Sequence, residues 1–139
     1  MSTLTYTFRT FPFKDKIPRA FVFEKLNKDF ITFSEKILRK KPEIIIGIAK
    51  SENSSRFEKL AINQFNKTKK VSLGGKNSFD LDLPENLIFP VSDKPTNSFC
   101  NWTAYKLKEF LDNNKLDIKL IFVHIGEKDI NKLSSILFS

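Results

Sequence analysis

The sequence predicts an α/β fold, a three-layer α/β/α sandwich around a mostly parallel, mixed central sheet. Three observations lead there. Glu43 to Ala49 is a continuous apolar run of strand length, the pattern of a central strand buried on both faces. Ile118 to His124 repeats that pattern near the end of the chain. Around these runs, apolar residues recur at helical spacing from about Arg19 to Lys40 and from Ser98 to Asn113, and strands alternating with helices imply a parallel sheet. At 139 residues, with no repeat, low-complexity tract or evident linker, residues 1–139 read as one domain able to bury a core.

Thr5 to Phe13 alternates, with Tyr6, Phe8 and Thr10 against Arg9 and Phe11, and predicts a strand ending near Pro12. Phe21, Phe23, Leu26, Phe30, Phe33 and Ile37 predict an amphipathic helix over about 19–40, and Pro42 lies just past its stop. Lys50 to Arg56 reads as polar loop, and Glu58 to Phe65 alternates again. Lys67 to Asn86 is rich in Gly, Asn, Asp and Lys and predicts an irregular or hairpin-like excursion. Leu87 to Val91 is a short strand. Ser98 to Asn113 is a helix with Trp102, Tyr105, Leu107, Phe110 and Leu111 on its apolar stripe, and Asn97 or Ser98 as its cap. Glu127 to Phe138 closes the chain as a helix, with Ile130, Leu133, Ile136 and Leu137 inward.

Composition narrows the function classes. Hydrophobic content of 40% and charged content of 29% are those of an ordinary globular protein, and 15 Phe can fill a core from few positions. One Cys rules out an intrachain disulfide and a zinc site made of cysteine pairs, and suggests a reducing, cytoplasmic setting. Met1 to Thr5 lacks the pattern of a secretory signal, and no apolar run nears the roughly 20 residues of a membrane span. No metal, nucleotide or flavin motif appears, so no metal and no cofactor are expected. The net charge of +8 is lopsided: residues 1–70 hold 16 Lys/Arg against 7 Asp/Glu, and the rest hold 8 against 9. An anionic partner such as nucleic acid is one reading of that asymmetry. A solvated lysine-rich face is the plainer one, since Arg39-Lys40-Lys41 and Lys67-Thr68-Lys69-Lys70 are short clusters and no nucleic-acid-binding motif is present.

The chemistry-bearing residues are few. Cys100 falls where a loop turns into a helix, His124 ends an apolar strand, and Glu58 precedes an alternating stretch. In parallel sheets, sites form at the carboxyl ends of strands, and Ala49-Lys50 and His124 lie there. Cys, His and a carboxylate are the parts of a thiol hydrolase. A thiol in the first helical turn gains from the positive end of the helix dipole, and free N–H groups there can hold an oxyanion. His124 would take the thiol proton and return it to the leaving amine, with Glu58 fixing its tautomer. This reading expects a lowered Cys100 pKa; a value near or above the free thiol's roughly 8.5 argues against it. Taken singly, a lone Cys is a small buried hydrophobe, a lone His a structural residue and Glu58 a surface acid.

Local sequence adds to spacing. Phe99-Cys100-Asn101-Trp102-Thr103-Ala104-Tyr105 resembles the nucleophile region of the pyroglutamyl peptidases (pyrrolidone-carboxylate peptidases), which show Cys-Asn and then Tyr four residues after that Asn. Glu58-Lys59-Leu60-Ala61-Ile62-Asn63 is similar to their Glu-Arg-Ile/Val-Ala-x-Asn, and Ile121-Phe122-Val123-His124-Ile125 to their Gly-Phe-Ile-His-Ile/Val. Phe11-Pro12-Phe13 sits where they have Leu-Pro-Val, and Lys41 to Gly47 resembles the strand before their active-site loop. The resemblance implies an α/β/α sandwich whose Cys100, His124 and Glu58 form a triad for removing N-terminal 5-oxoproline from peptides. It also implies departures. The domain starts at the family's second strand and lacks the first strand and the Gly-Phe-x-Pro-Phe-Gly-Gly loop, whose aromatic residues hold the lactam. The family's Asp-Ala-Arg-Ile-Pro is absent, and Gly126 replaces its Pro. Phe13, Phe99 and Ile48 are then the expected substrate-binding residues.

The leading expectation is therefore a cysteine hydrolase of small amide bonds acting on a peptide or small amide. The alternative is a non-catalytic basic α/β binding module. A sheet edge left bare by a missing element also makes a homo-oligomer plausible.

Overall fold

Apolar strands flanked by amphipathic helices bury most surface when the strands join one sheet and the helices cover it. A computed structural model describes residues 2–95 and 98–137, apart from the Ser98 side chain. Its elements are β1 (Thr3–Phe8), β2 (Phe21–Phe23), α1 (Leu26–Lys40), β3 (Ile44–Lys50), β4 (Arg56–Glu58), β5 (Leu60–Ile62), β6 (Ser78–Asp80), β7 (Val91–Ser92), α2 (Ser98–Asn113), β8 (Lys119–Ile125) and α3 (Leu133–Leu137). Two 3-10 turns, Lys14–Lys16 and Glu127–Lys132, join them. The main sheet runs β2-β1-β3-β8-β4-β7, and β5 and β6 form a separate antiparallel hairpin. Pairings are parallel except β4 against β8, so the sheet is mixed and mostly parallel, as predicted.

The two apolar runs are the centre of this sheet. β3 pairs with β8 over seven registered residues, from Ile44↔Lys119 to Lys50↔Ile125. Side chains alternate across a strand, so Ile45, Ala49, Leu120 and Phe122 enter one core with Phe33 and Ile37 of α1 and Leu107 and Leu111 of α2. Ile46, Ile48, Ile121, Val123 and Ile125 enter the other core, with Phe57 and with Leu133 and Ile136 of α3. The three layers are α1 with α2, the sheet, and α3, and these two cores lie between them. Tyr6 packs in the first core against Phe8, Phe23 and Phe33 by ring edges.

Gly47 shows how tightly that core closes. A Cβ there would lie 2.6 Å from Cδ1 of Phe122 and would also collide with the Tyr6 ring. Only glycine lets the Tyr6 and Phe122 rings lie over the strand at that point.

Several elements differ from the sequence expectation. The first strand ends at Phe8 rather than near Pro12, and Phe11 turns back into the second core. Phe11-Pro12-Phe13, read from the alternation as the end of that strand, is loop, and a separate strand, β2, follows it. Phe21 and Phe23 belong to β2 and not to the helix: Phe-Val-Phe suits an edge strand, and it pairs with Tyr6 to Phe8. Helix α1 starts at Leu26, where Asp29 Oδ2 accepts the N–H groups of Glu24 (2.7 Å) and Lys25 (2.9 Å). Those bonds hold the Asp29 carboxyl below its usual range. The helix ends with Lys41 in the left-handed region (φ 45), before Pro42. The short strand expected over Leu87 to Val91 is instead Val91–Ser92, and Leu87 to Pro90 before it is loop, with Leu87 exposed and Phe89 buried. Helix α2 spans Ser98–Asn113, as predicted. Its expected cap, Asn97 or the side chain of Ser98, lies outside the described residues, as does Phe138 at the expected end of the last helix. That helix is divided, 3-10 over Glu127–Lys132 and α over Leu133–Leu137. Among the described residues no helix is long and apolar enough to cross a membrane.

Gly47→Ala tests the core packing. It should destabilise the fold by about 3 kcal/mol, the upper end of the usual overpacking cost, since two rings would have to move. A urea unfolding curve with an unchanged midpoint would contradict the packing described.

Candidate active site

The carboxyl ends of β3 and β8 place the polar residues that the sequence singles out. The register sets His124 beside Ala49 on one side and beside Arg56 of antiparallel β4 on the other. Glu58, two residues after Arg56 on the same strand, shares its face. The result is a buried pair: Nδ1 of His124 lies 2.7 Å from Oε2 of Glu58, with the residues 5% and 1% exposed. An ionised carboxylate can only accept, so His124 Nδ1 donates to it, and in the neutral imidazole Nε2 is then the acceptor. The edge of the Phe122 ring meets the imidazole at 5.0 Å and fills its flank.

A third member was missed in the sequence. Arg56 Nε donates to the same Glu58 oxygen at 2.7 Å, and its NH1 reaches Ser51 Oγ at 3.2 Å. The sequence reading left Arg56 in a polar loop. The signal that finds it is the two-residue spacing to Glu58, which puts both on one face of a strand.

Cys100 is the third residue of α2 and is 6% exposed. Its neighbour Asn101 fixes it in place. Asn101 Oδ1 accepts the Ile62 N–H (2.9 Å), and its amide donates to the carbonyls of Ile62 (2.9 Å) and Gln64 (3.0 Å). Thus the start of α2 is stitched to the edge of β5. Cys100, Phe99, Thr10, Ala49, Lys50 and Glu52 line a cavity of about 260 Å³. Thr10 and Phe99 are also the wall of a second cavity of about 250 Å³, lined further by Phe8, Arg9, Phe23, Glu24, Leu26 and Phe65. Cys100 therefore lines a small polar cavity with a second one beside it whose wall is largely aromatic but carries Arg9 and Glu24.

The electrostatics differ from expectation. Burial, reinforced by the Glu58 carboxylate and opposed by Arg56, pushes the Cys100 thiol up to about 12. The helix terminus does not overcome desolvation here, and the thiol is protonated at rest. Among the described residues no hydrogen bond joins Cys100 to His124, so the structure brings Glu58 and His124 together and leaves Cys100 as a separate wall of the adjoining cavity.

Two of the expected substrate-binding residues lie elsewhere. Ile48 points into the second core, on the face of β3 away from Cys100, because it is one residue out of phase with Ala49. Phe13 packs against the same second core, its ring 6.0 Å from Phe11. Phe99 does line the cavity. Ala49 and Lys50 line it at the strand end where a site was expected, and Thr10, from the loop after β1, and Glu52, paired with Lys50 at 3.4 Å, are the lining residues that sequence reasoning missed. Gly126 is accounted for by its surroundings. A Cβ there would lie 2.5 Å from the Asn53 carbonyl oxygen, and its N–H donates to Ser55 Oγ (2.8 Å), a bond proline cannot make. No cluster of three or more His, Cys, Asp and Glu side chains suited to a metal occurs among the described residues.

No family model matches the sequence, and neither does any curated protein. Solved structures do match. Pyrrolidone carboxyl peptidase from Thermococcus litoralis superposes with a TM-score of 0.72 and 16% identity, over 91% of this chain and 77% of that one. The enzyme from Pyrococcus furiosus, described with its Cys-free mutant, gives 0.72 and 18% over 97% and 86%, and a point mutant of it gives 0.69 at the same identity and coverage. The chain has the pyrrolidone carboxyl peptidase fold. Nearly all of the chain takes part in that likeness, so the pyrrolidone carboxyl peptidase fold covers the elements that hold Glu58, Cys100 and His124. At 16–18% identity the likeness speaks for architecture.

The raised thiol pKa has a direct readout. A group pushed up to about 12 is almost wholly protonated at neutral pH, so Cys100 alkylation by iodoacetamide should speed up about tenfold per pH unit from 7 to beyond 10. Arg56→Gln removes the cation that lowers this pKa and should slow alkylation at any fixed pH in that range. A rate that levels off near pH 8 would show an ordinary or activated thiol instead.

Proposed function

We propose that the protein is a cysteine hydrolase of small amide bonds, of pyroglutamyl-peptidase type, with N-terminal pyroglutamyl peptides as the first substrate class. The observation that carries this reading is the buried Glu58–His124 hydrogen bond beside the cavity that Cys100 lines. A non-catalytic core has no need of a buried carboxylate held against an imidazole, since burying that charge costs free energy unless it is fully partnered.

In this reading Cys100 attacks as a thiol that loses its proton during the attack. His124 Nε2 takes the proton while Sγ bonds to the amide carbonyl carbon, and N–H groups in the first turn of α2 receive the oxyanion. Collapse of the adduct expels the amine, which takes the proton from His124, and leaves a thioester on Cys100. Water, deprotonated by His124, then hydrolyses the thioester and regenerates the thiol. Glu58 holds the imidazole in the required tautomer and stabilises its cation, and Arg56 holds Glu58 from behind. Substrate binding has to close the Cys100–His124 gap, consistent with apo sites whose catalytic hydrogen bonds tighten only in the complex. The combined cavities are small and suit a compact group such as a lactam ring.

A second reading is favoured by the protonated thiol: a pyrrolidone carboxyl peptidase fold used for binding, with no chemistry at Cys100. The cations once considered for an anionic partner, Arg39, Lys40, Lys41, Lys67, Lys69 and Lys70, are all exposed on two separate segments, the end of α1 and the loop that follows β5.

A fluorogenic pyroglutamyl amide separates the two. The wild type should release fluorophore, Cys100→Ala should not, and Glu58→Gln should lose roughly two to four orders of magnitude in kcat while remaining folded. Release that survives in Cys100→Ala, or no release by the wild type from this or other small N-acyl amides, would leave the second reading standing.

A further inference from the structure

The opposite end of the sheet has a feature that the candidate active site does not use. Strand β1 pairs with β3 through Thr3, Leu4, Thr5 and Tyr6, whereas β2 reaches only Tyr6, Thr7 and Phe8 on the other side. The first half of β1 therefore has a strand on one side only. Its other side borders a groove of about 590 Å³, larger than either cavity near Cys100. Main-chain groups of a strand point alternately to its two neighbours, so a half-paired stretch turns N–H and C=O groups toward the groove.

The groove has a definite chemistry. Leu4, Pro18 and Leu137 supply apolar contact, and Arg19, Lys36 and Lys40 are its charged lining residues. No Asp or Glu lines it, and among the described residues none of the three cations is in an ion pair. Lys40 also complements the carboxyl end of α1, but Arg19 and Lys36 have no such role.

We propose that this groove docks an extended acidic peptide segment, which adds to β1 as a strand and sets its carboxylates against Arg19, Lys36 and Lys40. Strand addition joins main-chain pairing, which gives affinity, to alternate side chains, which give specificity. Three free residues of β1 span about 10 Å, enough for a segment of a few residues. Charge selects among occupants. A second copy of this chain would bring the same three cations to the interface and repel. A nucleic acid would satisfy the cations but leave the N–H and C=O pattern of the edge unread, and no aromatic residue lines the groove for a base to stack on. An acidic peptide answers charge, edge and apolar wall together. The groove lies at the amino ends of β1 and β3, away from the strand ends that hold Ala49 and His124, so the inference does not rest on the catalytic reading.

The test uses a fluorescein-labelled, N-acetylated peptide of alternating Glu and Val, followed by anisotropy with the full chain. It should bind and weaken at least about tenfold between roughly 50 mM and 500 mM NaCl. The same peptide with N-methylated backbone amides should lose most of its affinity, since it cannot pair with the edge. A charge-reversed variant carrying Arg19→Glu, Lys36→Glu and Lys40→Glu, shown to be folded by circular dichroism, should also lose it. Should that variant fail to fold, the N-methylated peptide still decides, because the protein is untouched. No binding of the parent peptide at low salt overturns the proposal. So does equal binding of the N-methylated peptide, which would reduce the groove to a patch of charge, or tighter binding of a thymidine oligonucleotide abolished by the same reversals, which would make it a nucleic-acid surface.

Discussion

The parallel pairing of β3 with β8 is the constraint on which fold and site both depend. Seven registered pairs set the alternation of both strands, and that alternation decides which core each side chain enters. It puts Ala49 and His124 side by side on the face covered by α2, and Ile48 and Val123 on the other. A slip of one residue would send His124 into the apolar core under α3 and bring Ile125 to the site. The antiparallel pairing of β4 against the far edge of β8 then has one task that matters for chemistry, to bring Arg56 and Glu58 to the same face as His124.

The buried carboxylate shapes everything around it. Glu58 is almost completely shielded from water, and an isolated charge there would be very costly; Arg56 and His124 both bind its Oε2 and make it tolerable. The arrangement is economical but not neutral toward Cys100. A carboxylate nearby disfavours a second negative charge, and burial disfavours it more, so the same residue that orients the imidazole helps keep the thiol protonated. An ion pair between a resting thiolate and an imidazolium is thereby disfavoured, and for the proposed hydrolase general-base transfer concerted with attack is the route compatible with these electrostatics.

How legible this was depended on the kind of signal. The central strands and α2 could be read because a long apolar run or a stripe sustained over sixteen residues has one consistent period. Phe21-Val22-Phe23 could not, because three residues fit either the start of a helical stripe or a strand, and only pairing with β1 selects between them. Glu58 and His124, the buried pair, were visible as residue types in an order. Arg56 was hidden by the loop residues before it, and Ile48 and Phe13, expected at the substrate, face the second core instead, which only the strand register and the turn after β1 decide. At a strand end a shift of one residue changes the face, as Ile48 and Ala49 show.

The motif resemblance and the fold likeness report partly on the same physics. Asn63 binds the Ser72 backbone through both atoms of its amide, at 2.7 and 2.8 Å. Asn101 does the same to Ile62, and Tyr105 Oη donates to the Lys76 carbonyl at 2.7 Å. Asn101 and Tyr105 are staples between α2 and the β5–β6 hairpin region, and Asn63 ties together the loop between β5 and β6; the three explain why Asn and Tyr stand at those spacings without invoking catalysis. What they achieve is position: the hairpin is held to the start of α2, and Cys100 is thereby fixed on the wall of the cavity. The chemical content of the resemblance is then concentrated in Glu58 and His124. Their burial against each other is the one part of the motif set that packing and backbone satisfaction do not require, and it is the part on which the proposed chemistry rests.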